Sequence, residues 1–195
     1  MSFGVTKLRP ARVLHADPPW KFSDALPGKG RGASKHYSCM SVDQIKSLVL
    51  PPLHDDCLLL LWRVASMQRE ALDVLDAWGF TLKSEIVWRK LTKAKHARCD
   101  ACGVVNQRDH FGMGHYVRAA HETCLVAVRG RVRVRDRSVR STFAAPVGRH
   151  SEKPSQIFRL AERLSAGPYT EIFGRGPRPG WQVLGNDPAL LWRAA

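Results

Sequence analysis

The tetrapeptide Asp17-Pro18-Pro19-Trp20 concentrates groups that suit one kind of chemistry. Two consecutive prolines fix the backbone and remove two N–H groups, so the carbonyls of Asp17 and Pro18 are expected to lack a local donor. A carboxylate beside an open carbonyl is an all-acceptor pair, matched to an amino group with two hydrogens to give. Trp20 adds a flat face on which a base could stack. The exocyclic amine of adenine or cytosine needs such help, because its lone pair is delocalised into the ring. Acceptors on its hydrogens favour the tetrahedral amine and stabilise the charge that grows during methyl transfer. A rigid strand-ending turn with an aromatic plug is the plain alternative. By chance the tetrapeptide is expected only about once in a thousand chains of this composition.

Two further groups stand near the C-terminus. Glu171-Ile172-Phe173-Gly174-Arg175-Gly176 reads as a strand running into a glycine turn, where backbone can approach a nucleotide-like ligand closely. Asn186 and Asp187, after Gly185, have the side chains to hydrogen-bond ribose hydroxyls. A Gly-x-Gly after a strand is weak on its own, and a plain loop is the competing reading. His150-Ser151-Glu152-Lys153-Pro154 marks a helix start, where Lys153 and the helix N-terminus together suit a carboxylate. A solvated first turn is the alternative there.

The elements that must position these groups alternate between strand and helix patterns, the α/β signature. Strands are expected at Arg12 to Ala16, Cys57 to Trp62, Glu85 to Trp88, Thr123 to Val128, Tyr169 to Phe173 and Trp181 to Leu184. Ser41 and Gln44 form a capping-box pattern that opens a helix running to Leu50, before Pro51-Pro52. Met67, Ala71, Val74, Leu75 and Trp78 fall at helical spacing, with Gly79 as the cap. Pro154 opens a last helix with Ile157, Phe158, Ala161 and Leu164 on its apolar face. The sum is one α/β domain over residues 1–195 with a mostly parallel sheet. A long loop at about 89–113 stands out as a functional insertion, and Asp17 ends the first strand on the side where open α/β sheets bind ligands.

The chain has 195 residues, 44% hydrophobic and 25% charged, an ordinary globular composition. Its 31 Lys+Arg against 17 Asp+Glu give a formal charge of +14, which favours a polyanionic partner, nucleic acid before an anionic membrane. Apolar runs are too short to span a bilayer, no amphipathic basic helix accompanies the charge, and no signal-peptide pattern opens the chain. Five cysteines, an odd number, argue against a disulfide framework and for a reducing cytoplasm.

The motifs, taken in order, resemble the adenine-N(6) methyltransferase family typified by the catalytic subunit of the eukaryotic mRNA methyltransferase, which also has small bacterial and phage members. The resemblance runs through D-P-P-W at Asp17 to Trp20, H-Y-x-x-M-S at His36 to Ser41 and W-G-F at Trp78 to Phe80. It continues through G-x-G-H-Y-x-R-x-x-H-E at Gly112 to Glu122, H-S-x-K-P at His150 to Pro154 and E-x-F-G-R…G-W…G-N at Glu171 to Asn186. It implies a Rossmann-like methyltransferase fold with helices on both sheet faces and S-adenosylmethionine as donor. Asp17 and the Pro18 carbonyl would take the target amine, with Pro19 and Trp20 lining the base pocket. Lys153 would hold the donor's methionine carboxylate, Phe173, Arg175, Asn186 and Asp187 would line its ribose and adenine, and Ser151 and Glu171 would support them. Tyr37 and Arg118 would surround the acceptor nucleotide. Family members often carry Gln or Glu where Asp187 stands.

Two features lie outside the resemblance. The alternation of arginine and valine from Arg129 to Arg140 has strand period, and would put Arg131, Arg133 and Arg135 in a row able to track phosphates. A charged edge strand protected from aggregation is the alternative. Cys99 and Cys102 have zinc-pair spacing, with His96 and His110 as further candidate ligands, but one pair without a second is weak and no metal is expected. The function expected is methyl transfer to the 6-amino group of adenine, in DNA ahead of RNA, with a non-catalytic nucleic-acid-binding scaffold as the contrasting reading. A small phage or bacterial DNA enzyme fits by analogy, and a homodimer or a partner subunit stays open.

Overall fold

A computed structural model describes residues 8–21, 39–93, 108–112, 116–149 and 151–185. The elements in chain order are β1 (Ala11–Ala16), α1 (Val42–Lys46), β2 (Leu53–Arg63), α2 (Gln68–Ala77), β3 (Thr81–Leu91), β4 (His121–Arg129), β5 (Thr142–Pro146), α3 (Gln156–Leu164), β6 (Tyr169–Gly174) and β7 (Trp181–Gly185). All seven strands form one sheet in the order β5-β3-β4-β2-β1-β6-β7. Only β4 runs against the rest, pairing antiparallel with β2 and β3 while the other four pairings are parallel. The expected mostly parallel α/β sheet is therefore present.

Both faces are covered, and the strand period shows how. In β2, Cys57, Leu59 and Leu61 face the layer of α1 and α2, whereas Leu58, Leu60 and Trp62 face α3. Such double burial explains why the middle of β2 is continuously apolar; each fully buried leucine contributes roughly 1.5–3 kcal/mol. β1 does the same, with Leu14 and Ala16 toward α1 and α2, and Val13 toward α3. The next residue on the α3 side is His15, whose ring packs 4.6 Å from that of Phe158.

Several local expectations are met and several are corrected. Ser41 and Gln44 make both bonds of the capping box, but α1 ends at Lys46 and does not run to Leu50. Gly79 takes a positive φ after α2, as a helix-ending glycine should. β3 extends through Leu91, so the expected loop begins later than 89, and its residues 94–107 and 113–115 lie outside those described. β5 was not expected. The arginine segment is not a strand: β4 ends at Arg129, and Gly130 turns the chain with φ 68° where any Cβ would collide with Asp55 and Asp56. Asp136 then accepts from the backbone and hydroxyl of Ser138 and pairs with Arg163, making a turn that destroys the alternation. Among the described residues no helix is long and apolar enough to cross a membrane.

Candidate active site

The chain leaves β1 toward β2 on one side, while β6, the other neighbour of β1, leads on to β7. Strand order thus reverses between β1 and β6, and their carboxyl ends frame the crevice where α/β sheets bind ligands. Because β4 runs backwards, its first residues, His121 and Glu122, lie at this same edge.

The prolines end β1 as expected, but the turn uses its carbonyls differently. Trp20 N–H donates to the Pro18 carbonyl (2.9 Å) and Met40 N–H to that of Pro19 (2.8 Å), so Pro18 does have a local donor and keeps one free lone pair. Trp20 is not an open stacking face either. It is 4% exposed, and its indole N–H donates to the Trp62 carbonyl at 3.0 Å. The aromatic plug describes its position: it fixes where Asp17 points.

Asp17 meets a lysine from across the molecule. Lys153 Nζ lies 2.8 Å from Asp17 Oδ2, 3.4 Å from Glu122 Oε2 and 3.4 Å from the Ser151 carbonyl. Lys90 Nζ closes on the other Glu122 oxygen at 2.6 Å. Asp17, Lys153, Glu122 and Lys90 therefore form a chain of alternating charge. Burial works against the Lys153 ammonium, but Asp17 and Glu122 outweigh it and raise its pKa above the ordinary lysine value. Burial also works against the Glu122 carboxylate, yet Lys153 and then Lys90 hold its pKa below the ordinary range. The ammonium of Lys153 also stands 5.5 Å from the centre of the Trp62 ring.

On the β6 side, a second chain of contacts lies below the first. Trp62 Nε1 donates to His15 Nε2 at 2.9 Å, which leaves Nδ1 as the nitrogen of the ring that can donate. That Nδ1 is buried without a hydrogen-bond partner, and Glu171 Oε1 faces it at 3.6 Å. The other Glu171 oxygen accepts from Arg178 Nε at 3.2 Å, and the Arg178 guanidinium stacks 3.3 Å above Phe158. Burial pushes the Glu171 carboxyl up, but His15 and then Arg178 outweigh it and hold it low.

One cleft of about 400 Å³ opens between the two chains of contacts, with Asp17, Ser151, Lys153, Glu171, Phe173 and Arg175 around it. Phe173 and Ser151 carry φ of 65° and 57°, the left-handed region that costs a side chain energy and that clusters at functional sites. Gly174 serves packing, not ligand approach, since a Cβ there would collide with Val183 on β7. The structure thus gathers Asp17, Pro18, Pro19, Trp20, Ser151, Lys153, Glu171, Phe173 and Arg175 at one edge. Arg118 is exposed on the segment leading into β4 at that edge. Tyr37, Asn186 and Asp187 lie outside the described residues, as do Cys99, Cys102 and His96. Arg131, Arg133 and Arg135 are exposed and follow the carboxyl end of β4, which pairs with Cys57 near the start of β2. That is the opposite edge of the sheet, about 20 Å of strand away from Asp17. His15, Trp62, Glu122 and Arg178 are site residues that the sequence reading did not single out, and Lys90, expected among the cations of the long loop beside the base pocket, stands on β3 instead. Among the unforeseen residues only Glu122 had a signal, as the last residue of a quoted motif.

The cysteines inside the sheet are not reactive groups. Burial pushes the Cys57 thiol up to about 12, and that of Cys124 well above its ordinary value.

The MT-A70 family model matches residues 11–187. The N(6)-adenosine-methyltransferase MT-A70-like protein of Drosophila melanogaster is 32% identical over 96% of this chain and 30% of its own length. The human N(6)-adenosine-methyltransferase catalytic subunit METTL3 is 31% identical over 90% of this chain and 28% of its own. The mouse N(6)-adenine-specific methyltransferase METTL4 is 27% identical over 88% and 36%. The chain thus spans about a third or less of the length of these relatives. With the match running from the first residue of β1 past the end of β7, the chain belongs to the MT-A70 family.

Proposed function

We propose that this chain transfers a methyl group from S-adenosylmethionine to the 6-amino group of adenine in nucleic acid. The observation that carries the reading is Asp17, held at the switch point beside Lys153, over a cleft whose walls alternate acid, base and aromatic groups. The donor set fits the cofactor. Lys153 suits its carboxylate, Glu171 suits its ammonium, and Phe158, Phe173 and Arg175 offer flat and apolar walls in a volume within the roughly 300–1,000 Å³ of small-molecule sites. Asn186 and Asp187 would complete the ribose contacts. When bound, S-adenosylmethionine supplies an electrophilic methyl group on a positively charged sulfur.

The chain's own residues then have defined tasks. Asp17 and the free lone pair of the Pro18 carbonyl accept the two amine hydrogens, which draws the nitrogen toward tetrahedral geometry. As positive charge builds on that nitrogen, the Asp17 carboxylate stabilises it, and the proton passes to Asp17 or to water. Lys153 couples the two ligands. Three acceptors already surround its ammonium, so a carboxylate arriving there competes with Asp17 and releases Oδ2 for the amine. Adenine within a duplex hides its amine in the stack, so the target base must be flipped or already unpaired.

The acceptor is the finer part of the proposal. DNA is the reading carried from the sequence, and RNA is favoured by relatives named for adenosine, the ribonucleoside. Methyl transfer to matched DNA and RNA oligonucleotides, single- and double-stranded, followed by nucleoside mass spectrometry, tests both levels. N6-methyladenine in at least one acceptor is the expected result, and its absence from all four, with donor bound, would return the chain to a binding scaffold.

A further inference from the structure

Among the described residues only two buried side-chain polar atoms lack a hydrogen-bond partner, and one of them belongs to the cleft. It is Nδ1 of His15, a residue 1% exposed that lines the cleft together with Glu171 and Lys153. A buried donor without an acceptor costs about 1–3 kcal/mol, so a fold is expected to keep one only where a bound state makes use of it.

The His15 ring is held in one orientation. Its Nε2 is engaged by the Trp62 indole, which can only donate, so Nδ1 is the nitrogen that offers a proton. Phe158 lies tilted against the ring at 4.6 Å, and Trp181 stands edge-on at 6.4 Å. In the sheet His15 is in parallel register with Glu171. Glu171 Oε1 faces Nδ1 at 3.6 Å, about 0.4 Å beyond the longest ordinary hydrogen bond. Arg178 holds the other oxygen at 3.2 Å. A carboxylate has about four lone-pair sites, so Glu171 bonded to both neighbours still has two to offer a cation. It is 8% exposed, and burial pushes its carboxyl up, toward a neutral form that holds no cation; His15 is the first of the groups that offset this.

We propose that His15 is a positioning residue for the donor's ammonium. By closing on Oε1 it fixes the Glu171 carboxylate to receive an amino group, so that the cleft selects ligands carrying an ammonium beside the carboxylate that Lys153 takes. The proposal rests on the cofactor reading above and adds what makes that site selective.

The test is calorimetric titration of the full chain with S-adenosylhomocysteine and with its deaminated analogue, two ligands that differ only in the amino group. The parent is expected to prefer the amino ligand. His15→Met removes both ring nitrogens, His15→Gln places an amide where Nε2 stands, and His15→Asn places one where Nδ1 stands. The preference should shrink about 3- to 12-fold in the Met and Gln variants, the range of one net hydrogen bond, and stay within about twofold of the parent in the Asn variant. Stranding the Trp62 indole N–H weakens the Met and Asn variants alike and acts on both ligands equally, so it leaves the ratio untouched. In a Glu171→Gln background His15→Met should change the ratio no further. If the Met variant is too unstable to titrate, the Gln and Asn variants carry the same comparison. A ratio unmoved in the Met and Gln variants, or reduced as much in the Asn variant, would overturn the proposal and leave His15 a packing residue. Methyl transfer by the parent chain, measured alongside, separates the two claims. Discrimination that depends on His15 without transfer removes the activity alone, transfer with an unmoved ratio removes the role of His15 alone, and no binding of either ligand by the parent removes both.

Discussion

Glu122→Gln isolates the electrostatics of the site, because it keeps the shape of the side chain and removes one charge from the row Asp17, Lys153, Glu122, Lys90. Two ammoniums, 11% and 19% exposed, are then left with one carboxylate. At an effective dielectric of about 20, a unit pair at 3.4 Å is worth about 5 kcal/mol and one at 2.6 Å about 6 kcal/mol before desolvation. The cost of drying the carboxylate offsets most of that, so the net loss for both contacts is about 2–4 kcal/mol, within the range for breaking a partly buried charged pair. For a chain of this size 3 kcal/mol lowers the melting temperature by roughly 6–12 °C. The pH dependence gives the sharper test. The folded carboxyl has a lowered pKa, so on acidification the unfolded chain binds the proton first. The stabilisation is fully present above the ordinary glutamate value of about 4.5 and disappears as pH falls through the lower folded value. Urea unfolding of parent and variant from pH 7 down to pH 3.5 should therefore show a gap that is constant to about pH 5 and then closes. A gap that persists unchanged at pH 3.5, or that is below about 0.5 kcal/mol at pH 7, would refute the assignment of Glu122 as an ionised partner of both lysines.

Three other outcomes follow from the same geometry. His15→Phe keeps a ring against Phe158 but strands the Trp62 indole N–H and takes a partner from Glu171, so urea unfolding should show a loss of about 1–3 kcal/mol. Lys153→Met should weaken S-adenosylmethionine binding at least about tenfold by calorimetry, the value of one lost charged hydrogen bond; equal affinity would remove Lys153 from the cofactor site. Arg131→Gln with Arg133→Gln should reduce the salt slope of nucleic-acid binding by about one to two while leaving turnover at saturating acceptor unchanged, because these residues lie at the edge opposite Asp17.

How far the site could be read in the sequence depended on how local its causes are. β1 and Asp17 were legible because two prolines punctuate a short apolar run, and the capping box of Ser41 and Gln44 because both partners lie within one turn. Lys153 was legible as a helix-start lysine, but not its bond to Asp17, which joins residues 136 positions apart. His15 reads as one polar residue in an apolar strand. Its task depends on Trp62 on β2 to one side and Glu171 on β6 to the other, which no spacing rule connects. The arginine segment was misread for the opposite reason. Its period of two is real, but Gly130 and the Asp136 turn, a tertiary arrangement against Asp56 and Arg163, decide its backbone. β5 escaped because Thr142–Pro146 carries two alanines and a proline, weak strand formers that the neighbouring β3 recruits as an edge.

The central claim is that the Asp17 carboxylate acts on the adenine amine. Single-turnover methyl transfer by Asp17→Asn, with S-adenosylmethionine binding measured on the same preparation, tests it most directly. The account predicts donor affinity within a few-fold of the parent and a rate of N6-methyladenine formation reduced about 10²–10³-fold, the loss typical of one transition-state hydrogen-bonding group. Donor bound normally and adenine methylated at the parent rate would contradict it.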